Sequence, residues 1–180
     1  MHNRARILAA AQESLAELGP EAALDEIARR AAVGNATLYR HFPSREDLLA
    51  AVLEQVAVNG ADAAEEAAAQ EDDPYSALCH FARAVALQRL AALCCLSGEL
   101  MGARPELSLQ KERFVQAAQR LLSHAQQAGQ VRADVSLEEV MAALAQLSRP
   151  LPGTSWSAAD QVSPFTVQMY LDGLLVRADV

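Results

Sequence analysis

The sequence predicts an all-α protein of about nine helices, on three observations. Apolar residues make up 52% of the chain, and most of the excess over an ordinary composition is alanine, the strongest helix former. Glycine and proline number only 8 and 7 in 180 residues, too few to interrupt helices often. Runs of β-branched and aromatic residues, which would mark strands, are absent.

Each element follows from its period and its stops. The first helix is expected from about Asn3 to Leu18, with Ile7, Leu8, Ala11, Leu15 and Leu18 on one stripe. Gly19-Pro20 ends it. A short helix from about Leu24 to Ala31 presents Leu24, Ile27, Ala28 and Ala31, and a tight connection leads to a third from about Asn35 to Phe42. Ser44 and Asp47 have the spacing of a capping box, opening a long fourth helix that runs toward Ala69. The acidic stretch ending Asp72-Asp73-Pro74 reads as a boundary. After it, Tyr75 to Leu96 is apolar nearly all round, as a central buried helix would be. Gly98, Gly102 and Pro105 break the next segment into a short helix or irregular turn. Another long helix spans about Glu106 to Ala128, stopped by Gly129. Ser136 and Glu139 form a second capping box before Leu137 to Leu147. A loop rich in Pro, Gly and Ser follows from Arg149, and Ser163-Pro164 opens a last helix expected to reach Val176.

Composition narrows the function classes. No stretch approaches the roughly 18 unbroken apolar residues of a bilayer span, so no membrane partner is expected, and Met1 to Arg6 does not resemble a signal peptide. Three cysteines, two of them adjacent at Cys94 and Cys95, make a poor disulfide framework, and the expected setting is the reducing cytoplasm. The net charge of −8 argues against a generally basic nucleic-acid binder. Its distribution is less adverse. Asp62, Glu65, Glu66, Glu71, Asp72 and Asp73 form an acidic block, whereas Arg4, Arg6, Arg29, Arg30, Arg40 and Arg45 keep the N-terminal segment near balance. A DNA-reading face needs a local basic stripe rather than a basic protein.

Two short helices joined by a tight turn and braced by an earlier helix are the arrangement of a helix-turn-helix. Val33 and Leu38 serve as its apolar anchors, while Gly34, Asn35, Ala36 and Thr37 are small or polar and let the backbone approach a duplex closely. The run IARRAAVGNATLYRHF from Ile27 to Phe42, followed by PSREDLL from Pro43 to Leu49, closely resembles the TetR family of bacterial transcriptional regulators. The likeness extends from about Ile7 to Leu53. The fragments from Gly129 to Val135 and from Leu171 to Leu174 resemble C-terminal features of one subgroup.

That resemblance implies an N-terminal three-helix bundle over residues 1–50 and an antiparallel helical domain for ligand binding and dimerisation over residues 51–180. It implies that Asn35, Ala36 and Thr37 touch base edges, with Asn35 able to pair adenine through two hydrogen bonds. Tyr39 and His41 would contact phosphates, Arg40 a phosphate or a guanine, and Arg45 the backbone near the fourth helix. Two departures stand out. Ala22 and Ala23 replace the usual Ser or Thr cap of the second helix, with Asp25 a possible substitute. Ala32 replaces the usual turn glycine, which would cost on the order of 1 kcal/mol if its φ is positive.

The expected partners are double-stranded DNA, a second copy of the chain and a small, largely apolar effector. Phe81, Cys94, Met101, Phe114 and Met141 are candidates to line the effector cavity that the resemblance implies. Surplus apolar surface on the last two helices, including Leu144, Leu147, Leu171, Leu174 and Leu175, points to a four-helix dimer interface and hence a palindromic operator. No arrangement of Ser, His and Asp, no phosphate loop and no carboxylate pair suggests an enzyme, and no cofactor or metal is expected. Two other readings stay open: a regulator responding through oxidation of Cys94 and Cys95, and a helical interaction module that does not bind DNA.

Overall fold

The computed structural model describes residues 2–19, 21–88, 105–148 and 164–176. Eight α-helices lie among them: α1 (His2–Leu18), α2 (Leu24–Arg30), α3 (Asn35–His41), α4 (Arg45–Gln70), α5 (Pro74–Leu87), α6 (Pro105–Gln127), α7 (Leu137–Leu147) and α8 (Pro164–Asp172). The all-α expectation holds, with the helix count close to nine. Cys94, Cys95, Met101 and the expected loop from Arg149 lie outside the described residues.

The helix ends show why these segments stop where they do. Gly19, at φ +82°, closes α1 by donating its N–H to the Leu15 carbonyl. Ser44 caps α4: its Oγ accepts from the Asp47 N–H at 3.1 Å and donates to the Asp47 carboxylate at 2.8 Å. Asp73 caps α5, accepting from the Ser76 N–H at 2.8 Å, with Pro74 in the first turn. The capping box of Ser136 and Glu139 is complete, each side chain accepting from the other's backbone N–H. Gly129, at φ +70°, ends α6.

The last helix ends earlier than the periodicity suggests, at Asp172 rather than Val176. Its continuation is drawn off to another partner. Leu174 accepts from the Arg132 N–H, and Val176 donates to the Gln130 carbonyl, each at 3.0 Å. Val131 and Leu175 thereby form an isolated antiparallel bridge. The two C-terminal fragments singled out in the sequence are thus partners in space, and their backbone bonds compensate for the lost helical turn.

α4 is the spine of the molecule. Its first turns pack on α1, while most of its length lies along α6 and α5; α7 and α8 close over α5. A division at residue 50 therefore falls inside one continuous helix. Ile7, Ile27, Leu38, Phe42 and Leu48 at the N-terminal end share a single connected core with Phe81, Phe114, Leu122, Leu144 and Leu171. Among the described residues, no helix is long and apolar enough to cross a membrane.

Candidate nucleic-acid interface

The interface is built from α2, the turn after it and α3. Ala23 caps α2 with its carbonyl alone, accepting from Glu26 and Ile27 without any side-chain bond. Asp25 does not take over the cap. The helix instead relies on charge at its ends, with Asp25 and Glu26 in the first turn and Arg29 and Arg30 in the last. Glu26 holds both arginines, at 2.7 and 2.8 Å, and Arg30 also reaches Glu17 of α1 at 2.7 Å. The two guanidinium donors lower the Glu26 carboxyl from 4.5 to about 2. This cluster braces α2 against α1.

The turn has the bonds of a Schellman cap: Val33 donates to the Ala28 carbonyl and Ala32 to the Arg29 carbonyl, both at 3.0 Å. That geometry puts Ala32 at φ +49°, the only non-glycine with positive φ among the described residues. The strain anticipated for alanine at this position is therefore present. Arg6 of α1 reaches across and donates to the Ala32 carbonyl at 3.2 Å, holding the turn from outside.

Gly34 caps α3, its carbonyl accepting from Thr37 and Leu38. Nothing lies within 4 Å of where a Gly34 side chain would begin, so the backbone there is open to a large partner. Leu38 and Phe42 anchor the inner face, one helical turn apart and both buried. The outer face is Asn35, Ala36, Tyr39 and Arg40, all exposed, with Tyr39 at 48%. The spacing of these residues (i, i+1, i+4, i+5) makes one continuous strip. Val33, Thr37, His41 and Arg45 are half-buried at its edges.

Three residues at this site carry no local sequence signal. Arg6 holds the turn, as described. Arg4 lies over the Phe42 ring, 5.3 Å from its centroid, and steadies the end of α3. Asp25 accepts a 2.7 Å hydrogen bond from Nδ2 of Asn35. Each depends on a contact across helices, which no spacing rule reveals. Beside α3, a cleft of about 330 Å³ is lined by Arg4, His41, Phe42, Asp47, Glu54 and Leu107, the last of these from α6.

The other expected sites are partly brought together. Phe81 and Phe114 are buried side by side, with ring centroids 6.2 Å apart and planes inclined at 52°. Met141 is half-buried against the same core. Cys94 and Met101 cannot be placed among them, lying outside the described residues. The residues expected at a dimer interface differ in their exposure. Leu144, Leu171 and Leu174 are buried inside the protomer, while Leu147 and Leu175 are half-buried. Helical periodicity marks an apolar stripe but does not say whether the protomer or a partner covers it. The apolar side chains left outside on α8 are Phe165 and Met169, 71% and 59% exposed. Cys79 is buried, and burial pushes its thiol above the usual range, which makes it a poor nucleophile. Among the described residues, no three His, Cys, Asp or Glu side chains are grouped to hold a metal.

Residues 7–52 match the family of bacterial regulatory proteins of tetR type, and residues 73–176 match the C-terminal domain of SbtR-like transcriptional regulators. Among curated proteins, none matches the chain. A TetR transcription regulatory protein from Mycobacterium vanbaalenii is 35% identical, with 97% of this chain and 96% of that one covered and a TM-score of 0.55. The TetR regulator SCO0520 from Streptomyces coelicolor is 29% identical over 97% of this chain and 99% of that one, with a TM-score of 0.60. The fold also matches the TetR-like regulator LfrR from Mycobacterium smegmatis, solved in complex with proflavine, at 24% identity and a TM-score of 0.66, covering 99% of this chain and 100% of that one. The anchored pair of short helices, the exposed strip on the second of them and both family matches lead to one assignment: the chain belongs to the TetR family of bacterial transcriptional regulators.

Proposed function

We propose that this DNA-binding regulator acts as a dimeric repressor on a palindromic operator and is released by a small, largely apolar ligand. The observation that carries the DNA-reading part is the α3 strip of Asn35, Ala36, Tyr39 and Arg40, held outward by buried Leu38 and Phe42. In this reading Asn35, Ala36 and Thr37 approach base edges, Tyr39, Arg40 and His41 serve phosphates or a guanine, and Arg45 serves the backbone. The exposed apolar pair on α8, Phe165 and Met169, supplies the surface on which a second copy packs. Two-fold symmetry then sets the two α3 helices about 34 Å or a multiple apart, in successive major grooves.

Residues 1–50 form the reading head and residues 51–180 the ligand-binding and dimerising part, with α4 common to both. A ligand among the helices around Phe81 and Phe114 favours one arrangement of α6, and Leu107 passes the change to the cleft beside His41 and Phe42. The protein acts as a cytoplasmic regulator rather than an enzyme.

The test is protection of the DNA upstream of its own gene by the purified protein, followed by binding at increasing salt. A duplex reader protects a palindrome and loses affinity steeply between about 50 and 200 mM salt. Salt-independent binding, or no protected sequence, would remove this function.

A further inference from the structure

A side-chain amide at the start of a reading helix has two orientations that differ by a half-turn, exchanging its oxygen and nitrogen. An unheld asparagine can adopt either, so it presents no fixed pattern to a base. Asn35 is not unheld: its Nδ2 donates to Oδ1 of Asp25 at 2.7 Å, across the turn from α3 to α2. A carboxylate accepts and cannot donate, so it attracts the amide nitrogen and repels the amide oxygen. The two side chains are exposed, and Asn35 is the first residue of α3, at the end expected to meet the bases.

We infer that Asp25 is a specificity-determining positioning residue, which fixes the orientation of the Asn35 amide so that the chain selects adenine at one base pair of each half-site. This rests on the DNA-binding reading above. An amide nitrogen carries two N–H groups. With one given to Asp25, the second N–H and the Oδ1 remain as a coplanar donor and acceptor. Adenine offers the complement in the major groove, an acceptor at N7 and a donor at N6. Guanine presents two acceptors there, so its O6 would face the Asn35 oxygen. The negative charge of Asp25 adds to this choice, since it favours a base edge carrying a donor and disfavours one carrying only acceptors.

The test is a series of operators carrying each of the four bases at every position of the protected half-site, bound by the full-length protein and its variants. The wild type should prefer adenine at one position by roughly 10- to 100-fold, the range of a good two-bond contact. Asn35→Ala should abolish that preference. Asp25→Ala should lose most of it at the same position and leave the other positions unchanged, while thermal melting shows the variant folded. Asp25→Asn keeps an oxygen that accepts from Asn35 but removes the charge, so it should restore part of the preference while raising affinity for all sequences, most for those with acceptor-only edges at that position. The double variant Asp25→Ala with Asn35→Ala should discriminate no worse than Asn35→Ala alone. The inference is overturned if Asp25→Ala keeps the adenine preference, or if it weakens every sequence equally. A wild type that binds no sequence selectively would bring down the DNA-binding reading itself.

Discussion

A methyl group on Gly60 would stand 2.6 Å from Cε2 of Phe114, closer than carbon atoms approach one another. Glycine within a 26-residue helix is otherwise unfavourable by about 1 kcal/mol relative to alanine. Its place in α4 is explained by the ring of α6 that lies on it, which in turn packs against Phe81 of α5. Three helices meet at that absent side chain.

Gly60→Ala should therefore destabilise the protein despite the better helix former, by a net of up to about 2 kcal/mol, as overpacking of about 1–3 kcal/mol outweighs the propensity gain. Denaturant unfolding at fixed protein concentration measures it. Phe114→Leu added to Gly60→Ala should recover part of the loss, because the two positions share one contact. A Gly60→Ala variant more stable than wild type would mean that the ring is not held there.

Ala32 gives the opposite expectation. At φ +49° an L-residue is strained by about 1–2 kcal/mol, and glycine relieves this at the smaller cost of a freer unfolded chain. Ala32→Gly should raise stability by up to about 1 kcal/mol. The Arg6 bond goes to the backbone carbonyl and survives the change. A lower melting temperature for Ala32→Gly would count against the left-handed turn.

The acid limb of stability should carry a contribution from Glu26. Hydrogen bonds from Arg29 and Arg30 lower its carboxyl from 4.5 to about 2 in the folded chain. A lowered carboxyl stabilises the fold fully above its unfolded value, and that contribution fades as pH falls from about 4.5 toward 2. Glu26→Gln should thus melt below wild type near neutrality, and the gap should close across that window. Glu65, Asp73, Asp134 and Glu139 are lowered as well, so wild type alone also weakens in acid, and the difference between the two proteins is the informative quantity. A gap that stays constant from pH 6 to about 2 would contradict the assignment to Glu26.

For the dimer, Phe165→Glu combined with Met169→Glu places two charges on the exposed strip of α8 and should yield monomers in sedimentation, with operator affinity falling accordingly. Leu109→Glu, on an equally exposed residue of α6, serves as the control and should leave the dimer intact. Dimers that persist with both α8 changes would place the interface elsewhere.

Local sequence was enough for the helical class, the caps at Ser44 and Ser136, and the paired-helix reader from Leu24 to Phe42. These rest on signals within a few residues of one another: a period of 3.6, a side-chain oxygen three positions from its donor, an apolar anchor opposite a polar strip. It also raised the question of Ala32, which the fold answered with a positive φ. Tertiary structure alone decided that Asp25 holds Asn35 rather than capping α2, that Arg4 and Arg6 reach α3 and the turn, and that Leu144, Leu171 and Leu174 face inward while Phe165 and Met169 face out. It also paired residues 130–132 with 174–176 and shortened the last helix. The reason is common to all of these. A helix advertises its own period along the chain, but which neighbour covers each face is settled only when distant segments compete for the same surface and the same backbone groups.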